Sequence, residues 1–257
     1  MTIADKLRKV LSTKNALKQA LIDKGVEVSD TDSFDSYVGK IQNMSGGGVP
    51  KGFIELEYLE KTVQDNSYMD LGYKATPNTG FALDFTITAF TSASYQQILI
   101  GYCSKDNSEK TSFAIYFWYS DGSGSNKFSS CATLQDTDSG LQAWKVIEAG
   151  TKCRFSVLDN KYSINGETEI EYFTKTSNTT ADNLYLFRAN SPNSSLIAGN
   201  NSIRGKVYSL KIYEGDEIVR DLVPVQRKDT AIYGLYDKVT GYFLPVSLNS
   251  SFTGVAK

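Results

Sequence analysis

The sequence predicts a mainly β chain, an antiparallel β-sandwich carrying a small α-helical segment at its N-terminal end. Apolar residues recur at steps of three and four before residue 45 and at steps of two after residue 52, the periods of helix and strand respectively. The stretch between them, Ser45-Gly46-Gly47-Gly48-Val49-Pro50-Lys51-Gly52, has consecutive glycines that lose too much entropy to hold either structure. Beyond it, short strand patterns alternate with Asn, Asp, Gly and Ser clusters and no helical pattern intervenes, which implies a sandwich. The expected organisation is therefore a helical segment at 1–44, a linker at 45–52 and a β-domain at 53–257.

In the helical segment Ile3, Leu7, Val10, Leu17 and Leu21 form one stripe, with Lys14 where another apolar residue would fall. Thr2 is placed to cap this helix with Asp5 in its first turn, Gly25 to end it, and Ser12-Thr13 to divide it. A second helix is expected after Asp32 or Ser33, with Phe34, Tyr37, Val38 and Ile41 on one stripe. A hairpin this short cannot bury a sufficient core alone. Ile3, Leu7, Val10, Leu17, Leu21, Phe34, Tyr37 and Ile41 are thus expected to dock on a neighbouring protein or on copies of the chain, as a trimer or a dimer. The alternative is that this face folds back on the β-domain.

Within the β-domain, Phe81, Leu83, Phe85 and Ile87 alternate onto one face, and Phe113–Tyr119 is apolar or aromatic on both. Further strands are expected at 97–102, 152–158, 161–164, 183–187 and 205–213. Asp159-Asn160 and Asn165-Gly166 read as tight turns.

The chain of 257 residues is 40% hydrophobic and 22% charged, enough to build one main core. A formal charge of -2 gives no electrostatic reason to seek nucleic acid. Cys103, Cys131 and Cys153 are an odd number at wide spacing in a chain without histidine, so neither a disulfide framework nor a zinc site is implied. Cys153 alternates with Phe155 and Val157 as a small core residue would. There is no apolar signal core, and no apolar run approaches the roughly 20 residues that span a bilayer, so folding in reducing cytoplasm without membrane insertion is expected.

Several segments resemble the concanavalin-like, laminin-G-like modules of phage and prophage virion proteins. Phe53-Ile54-Glu55-Leu56-Glu57-Tyr58-Leu59-Glu60, then Ser67-Tyr68-Met69-Asp70-Leu71-Gly72, is similar to that family's opening. Phe155 to Gly166 resembles its hairpin ending in I-N-G, and Gly205-Lys206-Val207-Tyr208-Ser209-Leu210-Lys211-Ile212-Tyr213 its G-R-I-Y-S-L-K-I-Y strand. Val219-Arg220-Asp221-Leu222-Val223-Pro224-Val225, Gly234-Leu235-Tyr236-Asp237 and Gly241-Tyr242-Phe243 resemble its closing tail. The run Ala16 to Val26, with Phe34 to Ile41, is similar to N-terminal modules of phage fibre and tail proteins. The resemblance implies a jelly-roll sandwich in a virion component of head or tail, made in the host cytoplasm, with other virion proteins as partners.

Glu55, Glu57 and Glu60 are spaced somewhat like the carboxylates of laminarinase-type glycosidases, but alternation separates Glu60 from the other two. They are read as solvated charges on an edge strand, no catalytic residue is assigned, and glycoside hydrolysis is the least supported reading. For ligand binding, the candidates are Tyr116, Trp118, Tyr119, Asp121 and Asn126, because sugars stack on rings while their hydroxyls need fixed polar partners. Asp106 and Asn107 form a nearby candidate loop. Aromatics in such a strand more often pack in the core, and Asp121-Gly122-Ser123-Gly124 is an ordinary turn sequence. A calcium site from Asp106, Asp121 and Asn126 matches no specific loop spacing, so no metal or cofactor is expected. Two functions follow: a lectin-like module contacting host-surface glycan, or a structural subunit touching only virion proteins.

Overall fold

A computed structural model describes residues 2–23, 26, 28–37, 40, 48–89, 97–102, 113–119, 127–133, 141–158, 161–171, 179–190 and 203–257. The chain divides into two compact units, Met1–Ile54 and Glu55–Lys257.

In the first unit, α1 (Ile3–Asp23) opens with a reciprocal cap: the Asp5 amide donates to the Thr2 hydroxyl, and the Thr2 amide donates to the Asp5 carboxylate. The expected break at Ser12-Thr13 does not occur. The Thr13 hydroxyl donates back to the Lys9 carbonyl at 2.9 Å, which lets a residue that favours turns remain inside one continuous helix. Residues 34–37 are helical as well, and Ser33 is the cap, accepting from the Ser36 amide at 3.1 Å. Gly25, Val38 and Ile41 lie outside the described residues.

Seventeen strands are described. These are β1 (Phe53–Lys61), β2 (Met69–Asp70), β3 (Thr79–Ala89), β4 (Gln97–Tyr102), β5 (Phe113–Tyr119), β6 (Lys127–Thr133), β7 (Leu141–Glu148), β8 (Lys152–Leu158) and β9 (Lys161–Ile164). They continue with β10 (Glu167–Glu171), β11 (Tyr185–Leu186), β12 (Ala189–Asn190), β13 (Arg204–Glu214), β14 (Glu217–Arg227), β15 (Tyr233–Asp237), β16 (Phe243–Pro245) and β17 (Phe252–Ala256). They form two sheets. One is ten-stranded in the order β10-β9-β8-β3-β13-β1-β14-β15-β16, with β17 on β1; the other is seven-stranded in the order β2-β11-β4-β5-β6-β7, with β12 on β4. The protein is thus a β-sandwich with a small N-terminal helical part. One described pairing departs from the antiparallel expectation: β12 runs parallel to β4.

Core and turns follow the sequence patterns closely. Phe81, Leu83, Phe85 and Ile87 of β3 are buried in one cluster with Leu99, Ile100 and Ile115 of the second sheet and with Phe155 and Val157 of β8. Cys153 joins them as a small apolar residue. Asn165 and Gly166 have φ of 54° and 83°, so both central residues are left-handed, as a two-residue turn with the twist of β9 and β10 requires. Gly205 has a different reason to be glycine, since a Cβ there would lie 2.3 Å from Phe85 Cζ and 2.4 Å from the Thr86 carbonyl.

β1 corrects the expectation of an edge strand. It is internal, pairing with β13 on one side and β17 on the other. Its inward row holds Leu59 and then Lys61, whose side chain is 0% exposed. The Lys61 ammonium donates to the carbonyls of Asp65 (2.9 Å) and Ser67 (2.6 Å) and lies 3.4 Å from the Asp65 carboxylate. Asp65 in turn accepts from the Ser67 amide and from the hydroxyls of Ser67 and Ser251. A buried charge is tolerable because every direction around it is answered by an acceptor.

Candidate functional site

The structure places only part of the expected ligand site. Tyr116, Trp118 and Tyr119 occupy β5, in register with Cys131, Ser129 and Phe128 of β6, while Asp106, Asn107, Asp121 and Asn126 lie outside the described residues. The carboxylates of the opening strand do not converge: Glu55 pairs with Lys257, Glu60 lies 3.8 Å from Lys206, and Glu57 is exposed. No cluster of three metal-ligating side chains occurs among the described residues.

The described surface instead brings together residues that the sequence reading left unassigned. β2 and β11 are each two residues long and pair antiparallel, with Leu186 opposite Met69 and Tyr185 opposite Asp70. Met69 and Leu186 are buried in the core, so alternation turns Asp70 and Tyr185 to the outer face. Tyr68, two residues before Asp70 along the same strand direction, falls on that face too. The Tyr68 and Tyr185 rings stack with centroids 4.1 Å apart and planes 12° from parallel. On its other flank Tyr185 stands opposite Gly101 of β4, so the neighbouring strand offers no side chain beside the ring.

Phe187 explains how a cation reaches this surface. Its φ of 69° is rare for a bulky residue and costs about 1–2 kcal/mol. Core packing holds it there, for its ring lies 5.9 Å from that of Phe85 and 5.4 Å from that of Phe252. The chain doubles back at this point: Tyr185 pairs antiparallel with Gly101, and Ala189 pairs parallel with the same residue. Arg188 sits on the reversal, and its guanidinium donates to the Asn66 carbonyl at 3.1 Å, on the segment leading into Tyr68.

Amide groups complete the cluster. Asn183 donates to the Asp70 carboxylate at 3.0 Å, which also accepts the Gly72 amide at 2.8 Å, and Asn190 donates to the Asn183 carbonyl at 2.9 Å. Tyr68 is held from behind, its amide donating to the Ser247 hydroxyl at 2.8 Å and its predecessor Ser67 tied to Lys61. Burial, with the Tyr68 hydroxyl adding to it, pushes the Tyr185 phenol up to about 12, so it stays a neutral donor. Burial also lowers the pKa of Arg188, with the two phenols opposing that effect. No carboxylate lies within ion-pairing distance of Arg188 among the described residues.

A second aromatic patch lies on the outer face of the ten-stranded sheet. Tyr58 and Tyr208 meet edge to face at 5.8 Å, but Lys206 lies 4.1 Å from the Tyr58 centroid and Lys152 lies 3.9 Å from that of Tyr208. Those cations already occupy ring faces on which a ligand would stack. The Tyr68–Tyr185 cluster is therefore the better candidate.

In the N-terminal unit, Ile3, Leu7, Val10 and Phe34 are 78%, 65%, 52% and 41% exposed. Leu17 is half-buried, and Leu21 and Tyr37 are buried. Lys6, Lys9, Val10, Thr13 and Phe34 line an apolar depression on this unit. No helix among the described residues is long and apolar enough to cross a membrane.

No protein-family model matches the chain, and no curated protein matches it by sequence. Among solved structures, a protein of Bacteroides ovatus ATCC 8483 proposed to bind carbohydrate superposes with a TM-score of 0.47 at 8% identity, over 81% of this chain. The match spans 62% of that protein's length.

Proposed function

We propose that this chain is a non-catalytic virion protein of a bacteriophage, a fibre or decoration component of head or tail, whose β-sandwich holds saccharide on the host surface. The observation that carries the binding reading is the stacked Tyr68–Tyr185 pair, flanked by Arg188 and the amides of Asn183 and Asn190. Rings offer a face to the apolar side of a sugar, and fixed amides and a guanidinium orient its hydroxyls. The phage setting rests on the sequence resemblances of the opening strand, the Gly205–Tyr213 strand, the closing tail and the N-terminal helices. In this reading Ile3, Leu7, Val10 and Phe34 dock the chain to other virion proteins or to its own copies, as a trimer or dimer.

An open surface site of this kind binds weakly, with a dissociation constant on the order of a millimolar, so several copies are needed to hold a cell. The test compares the protein with an artificially multimerised form on host cells and glycan arrays. Binding by the multimer that is lost in Tyr185→Ala supports the reading. A multimer that binds nothing above background overturns it in favour of a subunit that contacts only virion proteins, the reading that the exposed α1 stripe by itself would favour. Loss on Trp118→Ala or Asn126→Ala, with Tyr185→Ala unaffected, would move the site to the β5 region.

A further inference from the structure

The saccharide-binding reading leaves the chemical class of the sugar open, and the polar groups around the two rings narrow it. Two carboxylates act on Tyr185, Asp70 and Asp182; Asp70 is already engaged by the Asn183 amide and the Gly72 amide, and neither of the two acts on the Arg188 guanidinium. Arg188 is the opposite case. A guanidinium carries five N–H donors and no acceptor, and the Asn66 carbonyl answers one side of it. Further donors stand nearby: the Tyr68 and Tyr185 hydroxyls bond to each other, which leaves one phenol proton for a ligand, and the carboxamide nitrogens of Asn183 and Asn190 each make one described bond and keep a second N–H. Lys61 is close enough for Arg188 to act on its ionisation, but its charge is met by Asp65, which is bound to Lys61 and two serines rather than to Arg188. The reversal at Phe187 fixes where the guanidinium stands, so its position is set before any ligand arrives. A donor-rich surface whose cation has no counter-ion among the described residues calls for a ligand that brings an anionic acceptor.

We propose that the Tyr68–Tyr185–Arg188 surface selects an acidic saccharide, one sugar ring packing against the tyrosines while its carboxylate takes the free edge of the Arg188 guanidinium. This rests on the saccharide-binding reading above. Arg188 acts here as a specificity determinant, and the tyrosines supply affinity common to acidic and neutral sugars. The planar fork of arginine matches a carboxylate in two parallel hydrogen bonds, a geometry lysine cannot reproduce.

The test measures binding of tetragalacturonic acid and of its methyl ester to the full-length protein by heteronuclear NMR titration. The two probes share one sugar backbone and differ at the carboxyl groups, which the ester caps with methyl and strips of charge. The acid is expected to bind about 10-fold more tightly than the ester, the size of one charge-assisted contact. Arg188→Gln should bring that ratio to about one and Arg188→Lys should recover part of it, while Tyr185→Ala should weaken both ligands. Equal binding of acid and ester by the unaltered protein overturns the proposal but leaves saccharide binding standing. A preference that survives Arg188→Gln in folded protein overturns the assignment to Arg188. Binding of a glycerol-phosphate teichoic acid without binding of the galacturonate overturns the choice of carboxylate. Failure of a glycan array, neutral and acidic together, brings down the saccharide reading itself and this proposal with it. If Arg188→Gln does not fold, the ratio in the unaltered protein still decides whether the acid is preferred, and an undiminished ratio in Arg188→Lys overturns the assignment to Arg188.

Discussion

The rings of Tyr68 and Tyr185 lie 4.1 Å apart and 12° from parallel; Tyr185 shares its two-residue strand with Leu186, which points into the core, and Tyr68 immediately precedes β2, whose Met69 does the same. Because the inward residues fix the strands, the outward rings are held without needing each other. Tyr185→Ala should therefore cost the fold only the stacking energy, about 0.5–1.5 kcal/mol, together with whatever half-buried ring area is lost. Urea denaturation followed by circular dichroism should show a small shift in midpoint with unchanged slope. A collapse of the cooperative transition would mean that the pair is structural and not a surface available to ligand.

Asp65→Asn should be much more harmful, because it leaves the Lys61 charge buried with carbonyls alone around it. The expected loss is about 3 kcal/mol, as for other buried charges deprived of one partner. Lys61→Met, which removes the buried charge and keeps an apolar side chain of similar reach, should cost less. A reversed order of the two variants in urea melts would contradict this account of the Lys61–Asp65 contact.

The same pair shapes the pH dependence of stability. Burial works against ionisation of Asp65, yet hydrogen bonds from Ser251 and Ser67 and the Lys61 charge outweigh it and hold the carboxyl at about 2, below its ordinary 3.8. Its contribution is full above pH 3.8 and is lost as pH falls towards 2, by about 1 kcal/mol after screening by solvent at a carboxylate 27% exposed. Burial lowers Lys61 to about 8 against its ordinary 10.5, so between those values the unfolded chain holds more protons than the folded one. Stability from this group therefore rises with pH across that window. Melts of the unaltered protein and of Lys61→Met should diverge there, and parallel curves would refute it.

Gly205→Ala should destabilise by about 1–3 kcal/mol, the range for overpacking a filled core. The clash involves a backbone carbonyl as well as the Phe85 ring, so a rotamer change alone cannot relieve it. A melting temperature within error of the unaltered protein would show that β3 and β13 separate more easily than their register implies.

Limited proteolysis is expected to cut near Gly46 to Lys51 and leave a folded β-domain, since that unit has its own core. Leu7→Asp with Val10→Asp, which place charge on exposed apolar positions of α1, should lower the assembly state in sedimentation without changing the β-domain melt. Identical sedimentation of altered and unaltered proteins as monomers would remove self-association and leave docking on another protein.

Local patterns in the chain determined much of the architecture. The period-two runs of β3, β4, β5, β8, β9 and β13, the Asn165-Gly166 turn, the Thr2 cap and the core position of Cys153 depend on neighbours a few residues away, and short-range rules read them directly. Continuity of α1 through Ser12-Thr13, the internal place of β1 and the burial of Lys61 were decided elsewhere, by a back-bonded hydroxyl, by β17 arriving from the C-terminal end, and by acceptors from the loop that follows β1. The Tyr68–Tyr185–Arg188 cluster belongs wholly to the tertiary structure. The strand expected at 183–187 is paired only over Tyr185–Leu186, because Phe187 turns left-handed, and Arg188 reaches its place through that residue, which only the burial of its ring in the assembled core can hold.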